Sequence, residues 1–358
     1  MKTYSVGVIG ATGMVGQRFI SLLEGHPWFQ IKLLAASARS AGKPYGEAAA
    51  GRWAMPGPMP ETVRDLVIMD AAADAGKIAA EVDFVFCAVD MPKDQTRELE
   101  ERYAKLECPV ISNNSANRSA PDVPMIIPEI NSAHSGVIPY QRKRLGTKRG
   151  FIAVKSNCSI QSYVPALHPL WDLGIRNVLV CTYQAISGAG KTFETWPEMA
   201  DNVVPFISGE EEKSEREPMK VWGELRDGAI VEARDLNITA QCIRVPVSDG
   251  HMAAVFAGFE RMIPLDEIKK RWADFQSEAQ RLNLPSAPKR FLHYFEEENR
   301  PQVRLDRDLE KGMAVSVGRL RPDTQYDIKF VSISHNTVRG AAGGGILMAE
   351  LLCAQGYL

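Results

Sequence analysis

The chain has no long hydrophobic run, almost no net charge and no clustered cysteines, and each absence removes a class of function. Its longest apolar stretches, such as Phe84–Val89 and Val178–Cys181, are strand-sized and far too short to cross a bilayer. The N-terminus runs into a strand-like segment at Tyr4–Ile9, which leaves no room for an export signal. A cytoplasmic protein without membrane contacts is expected. A net charge of −2 supplies no field to gather nucleic acid or an anionic surface. The one charge run, Arg142–Arg149, lacks interleaved aromatics and reads as a solvated loop. The six cysteines form no C-x-x-C pair and no Cys/His cluster, so neither a disulfide framework nor a metal site is expected. Cys87, Cys108, Cys181, Cys242 and Cys353 read as buried, inert thiols.

What is present is ordinary globular composition, 45% apolar and 24% charged, over 358 residues, enough for two domains. Strand-like runs at Tyr4–Ile9, Ile31–Ala36, Val67–Met69, Phe84–Cys87, Val110–Ser112 and Ile126–Pro128 alternate with helical patterns at Val15–Glu24 and Asp94–Leu106. That alternation predicts parallel βαβ units. Longer strand patterns follow at Asn177–Ile186, Ile238–Val247, Met252–Phe259, Met313–Leu320 and Tyr326–Ser334, with helices near Pro197–Asn202, Glu212–Arg226 and Leu265–Gln280. The fold class is therefore α/β. A Rossmann-type dinucleotide-binding domain over 1–156, completed by a C-terminal helix within 337–358, joins an α+β domain with a large mixed sheet over 157–336.

The first strand runs straight into Gly10-Ala-Thr12-Gly13-Met14-Val15-Gly16. At the first βα turn, such glycines permit a tight turn, close approach of a pyrophosphate and close helix packing, with the phosphates over the helix N-terminus. After the second strand, Ser37-Ala-Arg39-Ser40-Ala-Gly-Lys43 contains no acid for ribose hydroxyls. Two cations and two hydroxyls suit a 2′-phosphate instead, so NADP is favoured over NAD.

Cys158 stands apart from the other cysteines. It lies in Ser156-Asn157-Cys158-Ser159, a polar turn between the strand pattern Phe151–Val154 and a helix pattern from Ile160. A helix N-terminus would favour the thiolate. Asn157 and nearby backbone amides would donate to a developing oxyanion. His251, in Arg244-Val-Pro-Val-Ser-Asp-Gly-His251, is the candidate acid–base partner. Arg244 is costly to bury in an apolar strand without an anionic partner, and a substrate carboxylate would be one.

Taken together, these segments resemble aspartate-β-semialdehyde dehydrogenase, in family order over nearly the whole chain. Also shared are Asn113-Asn-Ser-Ala-Asn-Arg118, Tyr183-Gln184, Gly209-Glu210-Glu-Glu-Lys213 and Asn336-Thr-Val-Arg-Gly340. The last of these, with Arg300-Pro-Gln-Val-Arg-Leu-Asp-Arg, looks most like the archaeal and fungal branch. The resemblance implies a glyceraldehyde-3-phosphate-dehydrogenase-like fold. It implies NADPH-dependent reduction of L-4-aspartyl phosphate to the semialdehyde through a Cys158 thioester, in the biosynthesis of lysine, threonine, methionine and isoleucine. By analogy Gln184 orients the acyl group, Arg244 holds the carboxylate and Glu210 the amino group. Lys213 and Arg118 hold the phosphate, while Ser187 and Gly188 line the nicotinamide pocket and Asn336 is a further cofactor-binding residue. A homodimer or homotetramer is implied. Cys87-Ala-Val-Asp90 departs from the small Ser/Gly-rich turn expected beside the cofactor.

Two alternatives share the glycine turn: a malonyl-CoA reductase of the same chemistry, and a non-catalytic NADP sensor. A free amino acid substrate calls for both Glu210 and Arg244, malonyl-CoA only for the arginine, and a sensor for neither.

Overall fold

A computed structural model describes residues 3–358. Its first sheet has six strands: β1 (Tyr4–Ile9), β2 (Phe29–Ala36), β3 (Met69–Asp70), β4 (Phe84–Cys87), β5 (Val110–Ser112) and β6 (Ile152–Val154). They are all parallel, in the order β3-β2-β1-β4-β5-β6 of a dinucleotide-binding sheet. β4, β5 and β6 are buried at every residue, as a parallel sheet covered on both faces requires. The strand order reverses between β1 and β4, and the crevice at their C-terminal ends is where such sheets take ligands. The Met14–Leu23 helix starts there and packs its Phe19 on Phe86 of β4, ring centroids 4.7 Å apart.

The second sheet is mixed. β7 (Ile175–Gln184), β10 (Asn237–Arg244), β11 (His251–Phe259), β12 (Leu292–Phe295), β13 (Val315–Pro322) and β14 (Ile328–Ser334) run in the order β10-β7-β11-β14-β13-β12. β8 (Glu224–Arg226) and β9 (Ala229–Val231) form a separate hairpin. One face of the mixed sheet is buried along β7 and β11, at Val178, Val180, Thr182, Ala253, Val255 and Ala257. The other carries Leu179, Cys181, Tyr183, Met252 and Phe256, all half-buried.

The chain returns to the first domain at its end. The Gly343–Ala354 helix is buried from Gly343 to Leu352 and shares a core with β1, β4 and the Met14–Leu23 helix. Just before it, Arg339 and Glu129 form a fully buried ion pair, Nη1 to Oε2 at 2.8 Å, with the guanidinium 4.7 Å from the Phe291 ring centroid. Breaking one partner of such a pair costs about 3–5 kcal/mol, because the other charge is left uncompensated.

Several expectations need correction. Ile126–Pro128 is buried but is no strand; only a bridge from Met125 to Val154 ties it to the sheet, because Pro124 and Pro128 cannot donate. The helix expected over Glu212–Arg226 spans Glu210–Val221. The chain turns at Gly223, where a Cβ would lie 2.5 Å from the Val231 carbonyl. Leu265–Gln280 divides into Leu265–Asp274 and Glu278–Arg281, the second opened by a Ser277/Gln280 capping box. Arg142 is no solvated loop residue. It lies on the Ile138–Leu145 helix, stacks 5.2 Å from the Phe151 ring centroid and donates to the carbonyls of Arg149 and Tyr357. Cys181 and Cys353 are half-buried rather than buried.

Candidate active site

Cys158 follows β6 and is half-buried where the two sheets meet. Its sulfur lies 3.5 Å from Nε2 of His251, the first residue of β11. The backbone N–H of Ala185 donates to the other ring nitrogen, Nδ1, at 3.1 Å. The neutral ring therefore carries its proton on Nε2, towards the sulfur. Burial, and then the charge of Arg244, push the imidazole down to about 3, so it is neutral at any working pH.

The thiol does not behave as the helix-dipole argument predicts. The helical stretch that follows it opens as a 3-10 turn, Ile160–Ser162, and is interrupted at Tyr163 before Val164–Leu167, and burial together with the Glu210 carboxylate pushes the Cys158 thiol upward. Lys155, Arg118 and Arg244 oppose that shift without cancelling it. Asn157 is also not a free oxyanion donor. Its side-chain amide donates to both carboxylate oxygens of Glu210, at 3.1 and 3.0 Å, and its Oδ1 accepts from the Ser159 N–H at 2.7 Å. The backbone N–H of Cys158 has no acceptor among the described residues and takes over that candidacy.

One helix organises most of the remainder. It begins at Glu210, after Gly209 at φ +68°, and presents Glu210, Lys213, Ser214, Glu217 and Lys220 on one face at helical spacing. Glu210 accepts from Lys213 at 2.7 Å and from Gln184 at 3.4 Å. Glu217 accepts the Asn157 backbone N–H at 2.5 Å and Arg118 Nη1 at 2.9 Å. Lys220 donates to the carbonyls of Arg118, Ala120 and Val123 at 2.6, 2.6 and 2.8 Å, and so fixes the segment that carries Arg118. Of the three consecutive glutamates only Glu210 faces this cluster: Glu211 accepts from Gln241 at 2.8 Å, and Glu212 pairs with Arg216 at the surface.

Gln184 and Arg244 end adjacent parallel strands in register. Arg244 is buried and donates to the Ala185 carbonyl at 2.6 Å, with no carboxylate partner among the described residues. Gly188 lies against Arg244 and His251, since a Cβ there would stand 2.8 Å from Arg244 Nη1 and 3.1 Å from the His251 ring. Gly340 abuts Cys158 in the same way, with a Cβ 2.9 Å from its own.

Lys155, Glu217 and Gly340 were not foreseen from the sequence. Lys155 is fully buried behind the nucleophile; its Nζ donates to the Ser156 carbonyl, and burial pushes the amine down to about 7. A charged residue directly after the apolar run Phe151–Val154 was the available signal.

The dinucleotide residues occupy the crevice. Gly10 has φ +85°, and a Cβ there would lie 2.2 Å from the Ala88 carbonyl, so no other residue closes this turn. A Cβ at Gly13 would meet only the Gly10 carbonyl, at an ordinary 3.5 Å, and the Gly13 backbone caps the Met14–Leu23 helix ahead of Met14 and Val15. The Thr12 carbonyl accepts from Gln17, which also bonds Arg52 and Ala54 and holds that segment against the turn. Beyond β2, Arg39, Ser40, Lys43, Glu47, Ala48 and Arg52 line a cavity of about 280 Å³, with Ser37 exposed beside it. Across the crevice, Asn336 donates to Ser187 Oγ at 2.9 Å and accepts from the Gly250 N–H at 2.7 Å. A glycine cradle at a helix N-terminus and a cation-lined cavity beyond β2 fit a dinucleotide with a 2′-phosphate.

A thiol and imidazole at 3.5 Å beside a dinucleotide crevice define a dehydrogenase of the thiol-dependent semialdehyde class. Family models agree: the semialdehyde dehydrogenase NAD-binding domain matches residues 5–137, and its dimerisation domain matches 167–339. The chain belongs to the aspartate-semialdehyde dehydrogenase family. Proteins of that name from Archaeoglobus fulgidus and Methanothermobacter thermautotrophicus are 45% and 46% identical, with 98% of each relative's length covered and 98% and 97% of this chain. The crystal structure of the Candida albicans enzyme with NADP superposes with a TM-score of 0.89 at 39% identity, over all of both chains.

Proposed function

We infer that this chain catalyses the NADPH-dependent reduction of L-4-aspartyl phosphate to aspartate semialdehyde and phosphate, a step in biosynthesis of the aspartate family of amino acids. The observation that carries the reading is the Cys158–His251 contact beside a buried, acid-free Arg244.

In the reaction proposed, the Cys158 sulfur attacks the acyl carbon; the C–S bond forms as the C–O bond to phosphate breaks, and the thiol proton leaves with the phosphate. Bound NADPH would supply the hydride that reduces the thioester; the thiohemiacetal left on Cys158 then releases the semialdehyde as its C–S bond breaks, and the sulfur regains its proton from solvent. His251 donates from Nε2 to the sulfur, lowering the cost of its charge both as it attacks and as it leaves. The Cys158 N–H serves the oxyanion. Gln184 and Asn157, both tied to Glu210, set the acyl group's position. Arg244 takes the α-carboxylate by a bidentate pair, which a planar guanidinium suits. Glu210 takes the ammonium, exchanging Lys213 for it, and Lys213 then joins Arg118 at the phosphate. Gly10, Thr12, Gly13, Met14 and Val15 seat the pyrophosphate, Ser37, Arg39 and Ser40 the 2′-phosphate, and Ser187, Gly188 and Asn336 the nicotinamide end.

Subunit pairing through the half-buried face of the mixed sheet belongs to this reading, as a homodimer or a pair of dimers working in the cytoplasm. Purified protein given aspartate semialdehyde, phosphate and NADP should form NADPH, and omission of either semialdehyde or phosphate should stop it. Silence from folded protein, with turnover of malonyl-CoA by NADPH, would overturn the substrate assignment. Arg39→Asp should weaken NADP by roughly 1.5–3 kcal/mol, a charge-assisted hydrogen bond's worth, and leave NAD near its starting affinity. Isothermal titration with each cofactor checks this, and equal losses would remove Arg39 from the 2′-phosphate site.

A further inference from the structure

Arg18 stands one turn inside the Met14–Leu23 helix, at the junction of the two domains. Its exposure is 8%, its side chain makes no ion pair or hydrogen bond among the described residues, and its Nε is buried without an acceptor. A guanidinium in that position is expensive unless something answers its donors. Asp249 and Asp308 act on it only at a distance. Helical side chains lean towards the helix N-terminus, so Arg18 reaches back over the turn that starts at Met14. Arg18 and Met14 indeed line one cavity of about 200 Å³, closed on the opposite side by Ser187, Ser248 and Asp249 of the second domain. Lys191, Thr192 and Glu194 also line that cavity, and neither Glu194 nor Asp249 pairs with Arg18.

We propose that Arg18 is a further cofactor-binding residue, whose missing partner is an oxygen of the pyrophosphate or the nicotinamide ribose of the bound dinucleotide. The inference rests on the dinucleotide reading above and adds to it a contact common to NADP and NAD. The guanidinium is left unanswered in the free protein and is answered on binding, at a point where the first domain's helix faces the loop leading to His251. Arg18 thus belongs to a different half of the cofactor site from Arg39.

The test compares the unsubstituted protein with Arg18→Met and Arg18→Lys, using titration calorimetry with NADPH and with NADH and thermal melts of the cofactor-free protein. Arg18→Met is expected to raise Kd about 10- to 100-fold for both cofactors, the loss of one or two charge-assisted hydrogen bonds. Its cofactor-free melting temperature should hold or rise, since an uncompensated buried charge has gone. Arg18→Lys should keep most of the affinity. Unchanged Kd in Arg18→Met, or equal losses in the Met and Lys variants, would overturn the proposal, because the residue would then matter for packing and not for charge. Failure of the unsubstituted protein to bind NADPH would instead bring down the dinucleotide reading itself.

Discussion

Cys158→Ser should lower kcat by about four orders of magnitude or more, the scale on which removal of a covalent nucleophile acts, while NADPH binding and the melting temperature stay close to their starting values. The substitution is nearly isosteric: Gly340 and the Asn157 turn make their contacts without the sulfur, and a serine hydroxyl can accept from His251 Nε2 in its place. An alkoxide is far harder to form than a thiolate, and a neutral imidazole whose Nδ1 already accepts from Ala185 has no free lone pair with which to take the serine proton. Rapid-mixing kinetics would show the loss in the acylation step. The unsubstituted enzyme carries a matching signature in pH. Its thiol is pushed upward by burial and Glu210, so alkylation of Cys158 by iodoacetamide should keep rising into the alkaline range. His251, held near 3, contributes no inflection near neutrality. Retention of a tenth or more of the activity in Cys158→Ser would remove the thioester from the mechanism.

The parts legible in the sequence were those whose determinants are local. β1, β4 and β5 begin and end where apolar runs do, because a parallel sheet covered on both faces admits nothing else. The glycine turn was legible because Gly10 must adopt a conformation closed to other residues. Cys158, His251 and Arg244 stood out as polar residues at strand ends or in apolar surroundings. Long-range relations were not legible. Glu217 reads as one more acid on an acidic helix, and only the fold brings it to the Asn157 N–H, although its place seven residues after Glu210 is a helical-face signal. Arg18 and Lys155 read as ordinary cations because burial cannot be seen without the opposite domain. The dipole argument for Cys158 failed for the same reason. The helix after Cys158 opens as a 3-10 turn broken at Tyr163, and the desolvation of the thiol outweighs it.

Arg244→Met should cost about 2–5 kcal/mol of transition-state binding, roughly 30- to 4,000-fold in kcat/KM, and yet not destabilise the protein. Both halves follow from one fact: Arg244 is buried, and among the described residues its guanidinium donates to the Ala185 carbonyl and pairs with no acid. Burial already depresses its pKa from the ordinary arginine value, a sign that the free protein bears part of the cost of holding this charge. The α-carboxylate of the substrate repays that cost on binding, so removing the guanidinium loses affinity and relieves strain in the empty site together. Arg244→Lys should recover little, because a point charge on a flexible stem cannot supply two parallel donors. A discriminating substrate is 3-aminopropanal, the semialdehyde without its carboxylate. It should be poor for the unsubstituted enzyme and no poorer for Arg244→Met. If the variant loses equally on both aldehydes, or melts several degrees lower, Arg244 holds up the ends of β7 and β10 and the carboxylate must find another cation.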